Sequence, residues 1–329
     1  MVKVSIIVPV YQVEKYLRKC LNSLVKQTLE EIEILVINDG SLDDSQLIIN
    51  EFQKQYPLKI KSFIKENGGL SDARNFGLDR ATAEFIGFVD SDDEVSKTMF
   101  EEMYNLALRH QAEMVICNIQ KVYEQGNCTQ KLTQIPNMPE KINLMENFSV
   151  FADLSYFACN KIFKRELFDH KRFKKGVHFE DIQLIPQLVL NCKTIAQTQN
   201  YHYQYLERTD SITKTHTKKG LDILSAVEDV NLYFHQSPYS DNTKELKNFN
   251  ILEGVYTYLA YLAFVKEDSV FQEMNQELKD FIAKHQITKR EILFYQRFGK
   301  NYILSLPLKK KIYYFLYLAG LNQFIRKLL

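Results

Sequence analysis

Apolar runs and helical stripes alternate along the first third of the chain. Val4–Tyr11 (VSIIVPVY) is a continuous, largely β-branched run, and after it Tyr16, Leu17, Cys20, Leu21 and Leu24 recur at helical spacing. This order predicts a strand followed by a helix. The pattern then repeats. Ile32–Ile37 predicts a strand, Asn38-Asp39-Gly40-Ser41 a turn, and the segment from Asp43 to Gln55 a helix whose start carries the acids that helix amino termini prefer. Ile60–Ile64 predicts a third strand, Asn67-Gly68-Gly69 a turn, and Ser71 to Arg80 a helix. Phe85–Val89 opens a fourth unit that leads to a helix over Lys97–Arg109. Such alternation implies right-handed crossovers and a mostly parallel sheet.

Beyond this point the pattern loosens. Met114–Tyr123 predicts a strand and Gly126-Asn127 a turn, followed by irregular chain through Pro136 and Pro139. A helix is expected over Ile142–Leu154, a loop over Asn160–Leu167 (NKIFKREL), a helix opening with two acids over Phe179–Leu190, and a strand over Ile195–Tyr205. From about Lys218 turn chemistry and β-rich runs give way to helical patterns. The expected division is an α/β domain over 1–215 and a helical region over 216–329.

The stretch Phe85–Asp93 (FIGFVDSDD) concentrates the chemistry. Its apolar half is too continuous for a strand with one wet face, and Gly87 admits close backbone approach, so it reads as a buried parallel strand. Its end carries Asp90, Asp92 and Asp93. In open α/β sheets ligands bind beyond the carboxyl ends of the strands. Hard carboxylate oxygens there suit Mg²⁺ or Mn²⁺ shared with the phosphates of a nucleotide. A single Asp would also cap the following helix, and that plainer reading stands beside the first.

Composition narrows the classes. With 329 residues, 45% of them hydrophobic, the chain can bury a large core and an appendage. Lys plus Arg number 42 against 41 for Asp plus Glu, which argues against a nucleic-acid binder working by bulk phosphate attraction. Five scattered cysteines without a C-x-x-C pair suggest reduced core thiols, neither a disulfide framework nor a zinc site. The only early apolar run is broken by Pro9 and no run reaches membrane-span length, so a cytoplasmic protein is expected.

Four segments follow strands and converge on one sheet edge: Pro9-Val10-Tyr11, Asn38 to Ser41, Asn67 to Gly69 with Arg74, and Asp90 to Asp93. The first three offer an aromatic face, a carboxylate acceptor for a ring N–H, and a guanidinium for phosphate, which a pyrimidine nucleoside diphosphate requires. Singly, Asp39-Gly40 reads as a turn, Arg74 as a solvated helix residue and Tyr11 as packing. Neither G-x-G-x-x-G after the first strand nor G-x-x-x-x-G-K-[ST] occurs, so dinucleotide and P-loop cradles are absent.

Taken as an ordered set, VSIIVPVYQVEKYLRKCLNSLVKQT, ILVINDGSLDDS, ENGGLSDARNFGL and FIGFVDSDD resemble the donor-site motifs of family 2 glycosyltransferases. The resemblance covers about residues 3–205. It implies a GT-A fold, with a Rossmann-like, mostly parallel α/β sheet flanked by helices, here followed by a helical appendage. It also implies that Pro9, Val10, Tyr11 and Asp39 hold the uracil of a UDP-sugar, with Glu14, Arg74 and Ser91 at the donor. Asp90 would meet the ribose side and Asp92 the Mn²⁺ or Mg²⁺ on the diphosphate. The base would be Asp181 of the Glu180-Asp181 pair. CNKIFKREL (Cys159–Leu167) is similar to the bacterial capsule and exopolysaccharide branch. In YQYLERTDSI, Arg208 and Ser211 match positions that close over the diphosphate, although Glu207 and Asp210 flank Arg208.

The implied reaction is inverting transfer of a hexose from a UDP-sugar to a glycan acceptor, lipid-linked at the cytoplasmic membrane face. Without that resemblance, Glu180 and Asp181 read equally well as acids complementing a helix start. A sugar nucleotidyltransferase and a silent nucleotide-sugar-binding scaffold are the rival readings. His178, His202 and His216 lie near site segments, where a histidine could join the metal shell or serve structure alone. Residues 308–329 hold five basic and no acidic side chains, and Tyr314, Tyr317, Leu318, Leu321, Phe324, Ile325 and Leu328 form one helical stripe. That stripe fits peripheral membrane contact, docking onto Tyr256–Phe264, or a homodimer contact.

Overall fold

A computed structural model describes residues 1–123, 127–208 and 216–321. Two compact units are present. The first comprises residues 1–147, 155–176 and 191–209, and the second 148–154, 177–190 and 210–329. The units thus interleave along the chain instead of dividing once near residue 215.

The first unit is built on β1 (Val4–Val10), β2 (Ile32–Asn38), β3 (Ile60–Ile64) and β4 (Phe85–Phe88), joined through α1 (Glu14–Val25), α2 (Ser45–Gln55) and α3 (Leu70–Leu78). All seven residues of β1 and of β2 are buried, because helices cover both faces of these strands. Ile6, Val8 and Val10 pack with Leu17, Leu21 and Leu24 of α1 on one side. On the other, Ile7 meets α3 so closely that a Cβ on Gly77 would fall 2.5 Å from its side chain. Gly87 of β4 is required in the same way, since a Cβ there would lie 2.7 Å from the Phe100 ring.

Strands β1 to β4 are mutually parallel in the order β3-β2-β1-β4. After β5 (Glu94–Val95) and α4 (Met99–His110) come β6 (Met114–Val122), β7 (Cys128–Leu132) and β8 (Lys141–Asn143). The predicted helix over Ile142–Leu154 is corrected here. Ile142 pairs with Ile195, Asn143 Oδ1 accepts from the Met145 amide at 3.1 Å to turn the chain, and only α5 (Ser149–Asp153) is helical.

The predicted loop at Asn160–Leu167 is also corrected. Residues Lys161–Lys164 form β9, antiparallel to both β4 and β6, and Arg165–Phe168 form a 3-10 turn. Two apolar residues between lysines hid this strand. Lys161 is wholly buried, because its ammonium donates to Ser155 O at 2.9 Å, Phe157 O at 2.6 Å and Asn160 Oδ1 at 2.8 Å. The last strand of this sheet in chain order, β10 (Thr194–Leu206), completes the order β3-β2-β1-β4-β9-β6-β10-β5.

The second unit is mainly helical: α5, α6 (Glu180–Val189), α7 (Leu221–Phe234), α8 (Thr243–Phe249), a π-helical segment over Asn250–Thr257, α9 (Tyr258–Leu262), α10 (Asp268–Lys284) and later short helices. Phe148, Phe151, Phe234, Tyr239 and Phe249 form its aromatic core. A small hairpin, unforeseen in the sequence, turns at Phe298 and Gly299, both with positive φ.

The carboxyl-terminal helix over Leu308–Leu318 docks within this unit. Its Tyr313, Tyr314 and Tyr317 hydroxyls donate to Leu259 O, Tyr256 O and Asn275 Oδ1 at 2.9, 3.2 and 2.8 Å. Tyr314, Tyr317 and Leu318 of the basic stripe are therefore buried, while Phe324, Ile325 and Leu328 lie outside the described residues. Among the described residues no helix is long and apolar enough to cross a membrane.

Candidate active site

Because β1 to β4 run parallel, their carboxyl ends bring Tyr11, Asp39, Lys65 and Asp90 to one edge of the first unit. Pro9 and Val10 are buried in β1, whereas Tyr11 beyond them is 46% exposed. Gln12 then adopts a left-handed φ, and its amide donates to Ser41 Oγ at 3.1 Å. The Glu14 carboxylate accepts from the Asp44 amide at 2.8 Å, and the Glu14 amide donates to Asp43 Oδ2 at 3.0 Å. These reciprocal bonds tie the starts of α1 and α2 together.

Asp39 organises the glycine turn. Its buried carboxylate accepts from the Gly68 and Gly69 amides, one on each oxygen, at 3.0 and 2.8 Å. Gly69 has φ +85°, a conformation that an L side chain seldom takes. Lys65, at the end of β3, pairs with Asp39 at 2.5 Å and with Asp72 at 2.6 Å. Sequence reading missed this lysine. Burial pulls its ammonium down, but hydrogen bonds and attraction to the two carboxylates prevail and hold its pKa above the ordinary lysine value. Hydrogen bonds from Lys175 and Lys65 in turn hold Asp72 below the usual carboxylate range.

Arg74 is not a solvated helix residue. It is 2% exposed, its guanidinium lies near the Phe88 and Phe173 rings, and Nη2 donates to Asp90 Oδ1 at 3.1 Å. The Asn75 side chain fixes that packing by exchanging two hydrogen bonds with the Phe173 backbone, at 2.8 and 2.9 Å. A separate cavity of about 360 Å³ lies between Asp72, Phe76, Asp79, Arg172 and Phe173. It includes none of Asp39, Asp90 or Asp92.

The three acids after β4 part company in three dimensions. Asp93 is 1% exposed, accepting from the Tyr203 hydroxyl at 2.7 Å and the Leu206 amide at 2.8 Å. Burial, then the nearby charges of Asp92 and Asp90, push its carboxyl well above the usual range. The same Tyr203 hydroxyl accepts from the Asp90 amide at 3.2 Å. Asp93 and Tyr203 therefore clamp β4 to β10, a role that no local signal revealed. Ser91 is buried, while the Asp90 and Asp92 side chains keep 31% and 25% exposure. Arg208 stands 3.3 Å from Asp92 through Nε, with its guanidinium over the Tyr16 ring. Ser211 lies outside the described residues.

The donor set can be tested against a divalent cation. Among the described residues no three His, Cys, Asp or Glu side chains gather into a metal-binding group. Mg²⁺ or Mn²⁺ held by one or two carboxylates, waters and nucleotide phosphates needs no such cage. The partly exposed Asp92 and Asp90 fit that mode, and Asp93 does not. His202 is structural: Nδ1 faces Ser96 Oγ at 2.5 Å and Nε2 faces Glu102 at 2.8 Å.

Glu180 and Asp181 belong to the second unit, in the first turn of α6. The residue before them, Phe179, has φ +62°, an uncommon strain for a bulky side chain. The His178 amide donates to Asp222 Oδ2 at 2.9 Å, pinning the turn to the start of α7.

Comparison with known proteins gives a consistent likeness. The model of the family described as Glycosyl transferase family 2 matches residues 5–171. The chain is 34% identical over 230 residues to Glycosyltransferase GlyA of Streptococcus pneumoniae serotype 4, covering 68% of this chain and 33% of that protein. It is 31% identical over 230 residues to the uncharacterized glycosyltransferase EpsJ of Bacillus subtilis, covering 67% and 65%. The chain thus spans less than two thirds of either relative. Among solved structures, S. aureus TarS 1–349 in complex with UDP-GlcNAc superimposes with TM-score 0.73 at 20% identity, covering 98% of this chain and 89% of that one. At that identity the likeness establishes a shared GT-A fold.

Proposed function

The chain belongs to glycosyl transferase family 2, and from that premise we propose that it transfers a hexose from a UDP-sugar to a glycan acceptor with inversion. The observation that carries this reading is the Asp39 carboxylate bound to the Gly68 and Gly69 amides at the same sheet edge as Asp90 and Asp92. Tyr11 offers an exposed ring to the base, Asp39 an acceptor for its N–H, and Arg74 holds Asp90 toward the ribose side. The TarS complex with UDP-GlcNAc supports a uridine donor by shared fold. Membership of the family, with relatives named as glycosyltransferases, supports transfer of a glycosyl group, and we propose a lipid-carried surface glycan as its acceptor.

Asp92, with Asp90 near it, would hold Mn²⁺ or Mg²⁺, which when bound supplies positive charge to the leaving diphosphate. Arg208 brings a second cation to the same carboxylate and is assigned to the diphosphate once donor binds. Asp181 accepts the proton of the attacking acceptor hydroxyl, a contribution of about 10²–10⁴-fold in rate. Ser211 completes the donor set in this reading.

Incubation with Mn²⁺ and each common UDP-sugar tests the assignment. Slow release of UDP from one of them is expected. Release of pyrophosphate from a sugar phosphate and UTP would establish the nucleotidyltransferase instead, and no turnover with any donor would leave only a binding protein.

A further inference from the structure

The second unit carries an aromatic strip beside the turn that bears Asp181. The Phe179 ring meets Tyr261 edge to face, with centroids 5.6 Å apart. His216 lies 4.7 Å from Tyr261 and 4.9 Å from Phe264. Phe264 is 56% exposed, and Phe179, His216 and Tyr261 are half-buried, so the rings reach solvent together. Core rings of this unit, such as Phe151, Phe234 and Phe249, are wholly buried by contrast.

The strip is held rigidly. The Tyr261 hydroxyl accepts from the Thr217 amide at 2.8 Å and donates to the Thr217 carbonyl at 3.1 Å. Gly220 backs the same ring so tightly that a Cβ there would come within 2.3 Å of it. Tyr261 stands on α9 directly after the π-helical segment Asn250–Thr257, an uncommon geometry concentrated at functional sites. Phe179 keeps a left-handed backbone, and strain of this kind persists where surrounding structure imposes it. The strained residue therefore belongs both to the aromatic strip and to the turn that starts the Asp181 helix.

Resting on the proposed glycosyl transfer, we propose that His216, Tyr261 and Phe264 form the acceptor platform, on which a carbohydrate ring stacks beside the Asp181 turn. A pyranose presents a face of C–H groups to an aromatic ring and keeps its hydroxyls at the rim. A partly exposed, preorganised strip of rings with a polar His216 and a fixed Tyr261 hydroxyl matches both demands. Phe179 is a positioning residue, coupling the platform to the helix that carries the base.

The chain contains no tryptophan, so Phe264→Trp installs the single tryptophan, excited selectively above the tyrosine absorption band, on the platform of the full-length protein. Phe294→Trp, at another exposed position of the same unit, is the control. Each is titrated to millimolar concentrations with the methyl β-glycosides of glucose, galactose and N-acetylglucosamine, and with maltose, lactose and chitobiose. Saturable quenching or a spectral shift with at least one sugar in the Phe264→Trp protein only, weakened about fivefold or more by adding His216→Ala, is the expected result. No response with all six, or an equal response in the control, overturns the platform. Calorimetry of UDP with the unmodified protein separates the two readings. Loss of UDP binding there refutes the donor assignment alone, whereas intact UDP binding with a silent platform fluorophore refutes the platform alone.

Discussion

Replacing Asp39 by asparagine tests whether this carboxylate reads a nucleotide base or only shapes the glycine turn. In the wild type one oxygen accepts from the Gly68 amide and the other from Gly69, while Lys65 adds an ion pair at 2.5 Å. The asparagine amide has one oxygen and one NH₂, so one glycine N–H must lose its acceptor; Asp39 itself is 2% exposed, but Gly68 and Gly69 are exposed. A hydrogen bond to a charged group contributes about 1.5–3 kcal/mol, and because both glycines are exposed no further penalty for a stranded buried donor is added. Lys65 retains Asp72 as a partner, so its pair is only partly lost. A net penalty of about 2 kcal/mol on the ordered turn follows, or roughly thirtyfold weaker UDP binding.

Calorimetry with UDP and CDP distinguishes the two roles. Uracil presents an N–H at N3 where cytosine presents a bare acceptor nitrogen. If Asp39 reads that proton, Asp39→Asn loses much of its preference for UDP over CDP. Equal losses for both nucleotides would confine Asp39 to shaping the turn, and a UDP affinity within threefold of wild type would refute the energetic argument altogether.

Four other outcomes are expected. Asp181→Asn should still bind UDP while turnover falls about a hundredfold or more, with the wild-type product from a UDP-α-sugar β-linked by NMR; retention or near-normal turnover excludes Asp181 as base. Asp92→Asn should weaken the dependence of UDP affinity on Mn²⁺, and equal wild-type affinity in chelator and in metal would remove the cation from the scheme. Truncation after Pro307 deletes three buried tyrosines with their hydroxyl bonds, so the melting temperature by circular dichroism should fall clearly, and an unchanged value would show that the helix is dispensable. Glu291, held down to about 2 by Lys247 and Thr288, has a depressed folded-state pKa, so its stabilisation is present above its ordinary value near 4.5 and lost as pH falls toward 2. The destabilisation caused by Glu291→Gln should vanish over that window in urea melts, and a penalty that persists at pH 2 would contradict the assignment.

Much of the first unit was legible from local pattern, because a strand buried on both faces must be apolar along its length and each crossover helix must keep its stripe. Val4–Val10, Ile32–Asn38 and Phe85–Phe88 show this directly, and parallel alternation then dictates that Tyr11, Asp39 and Asp90 share one edge. Pattern failed where a residue's environment comes from distant chain. Asp90, Asp92 and Asp93 are chemically alike in sequence, and Tyr203, more than a hundred residues later, assigns Asp93 to structure by burying it. Lys161 reads as part of a loop until three oxygens from its own preceding segment satisfy the ammonium inside the sheet. The basic stripe at the carboxyl end read as membrane face, core or dimer contact, since amphipathic spacing states only that one face is apolar; tertiary packing selected Leu259, Tyr256 and Asn275 as what covers Tyr313, Tyr314 and Tyr317. Sequence periodicity reports which side chains avoid water, and only the folded chain determines which partners replace it.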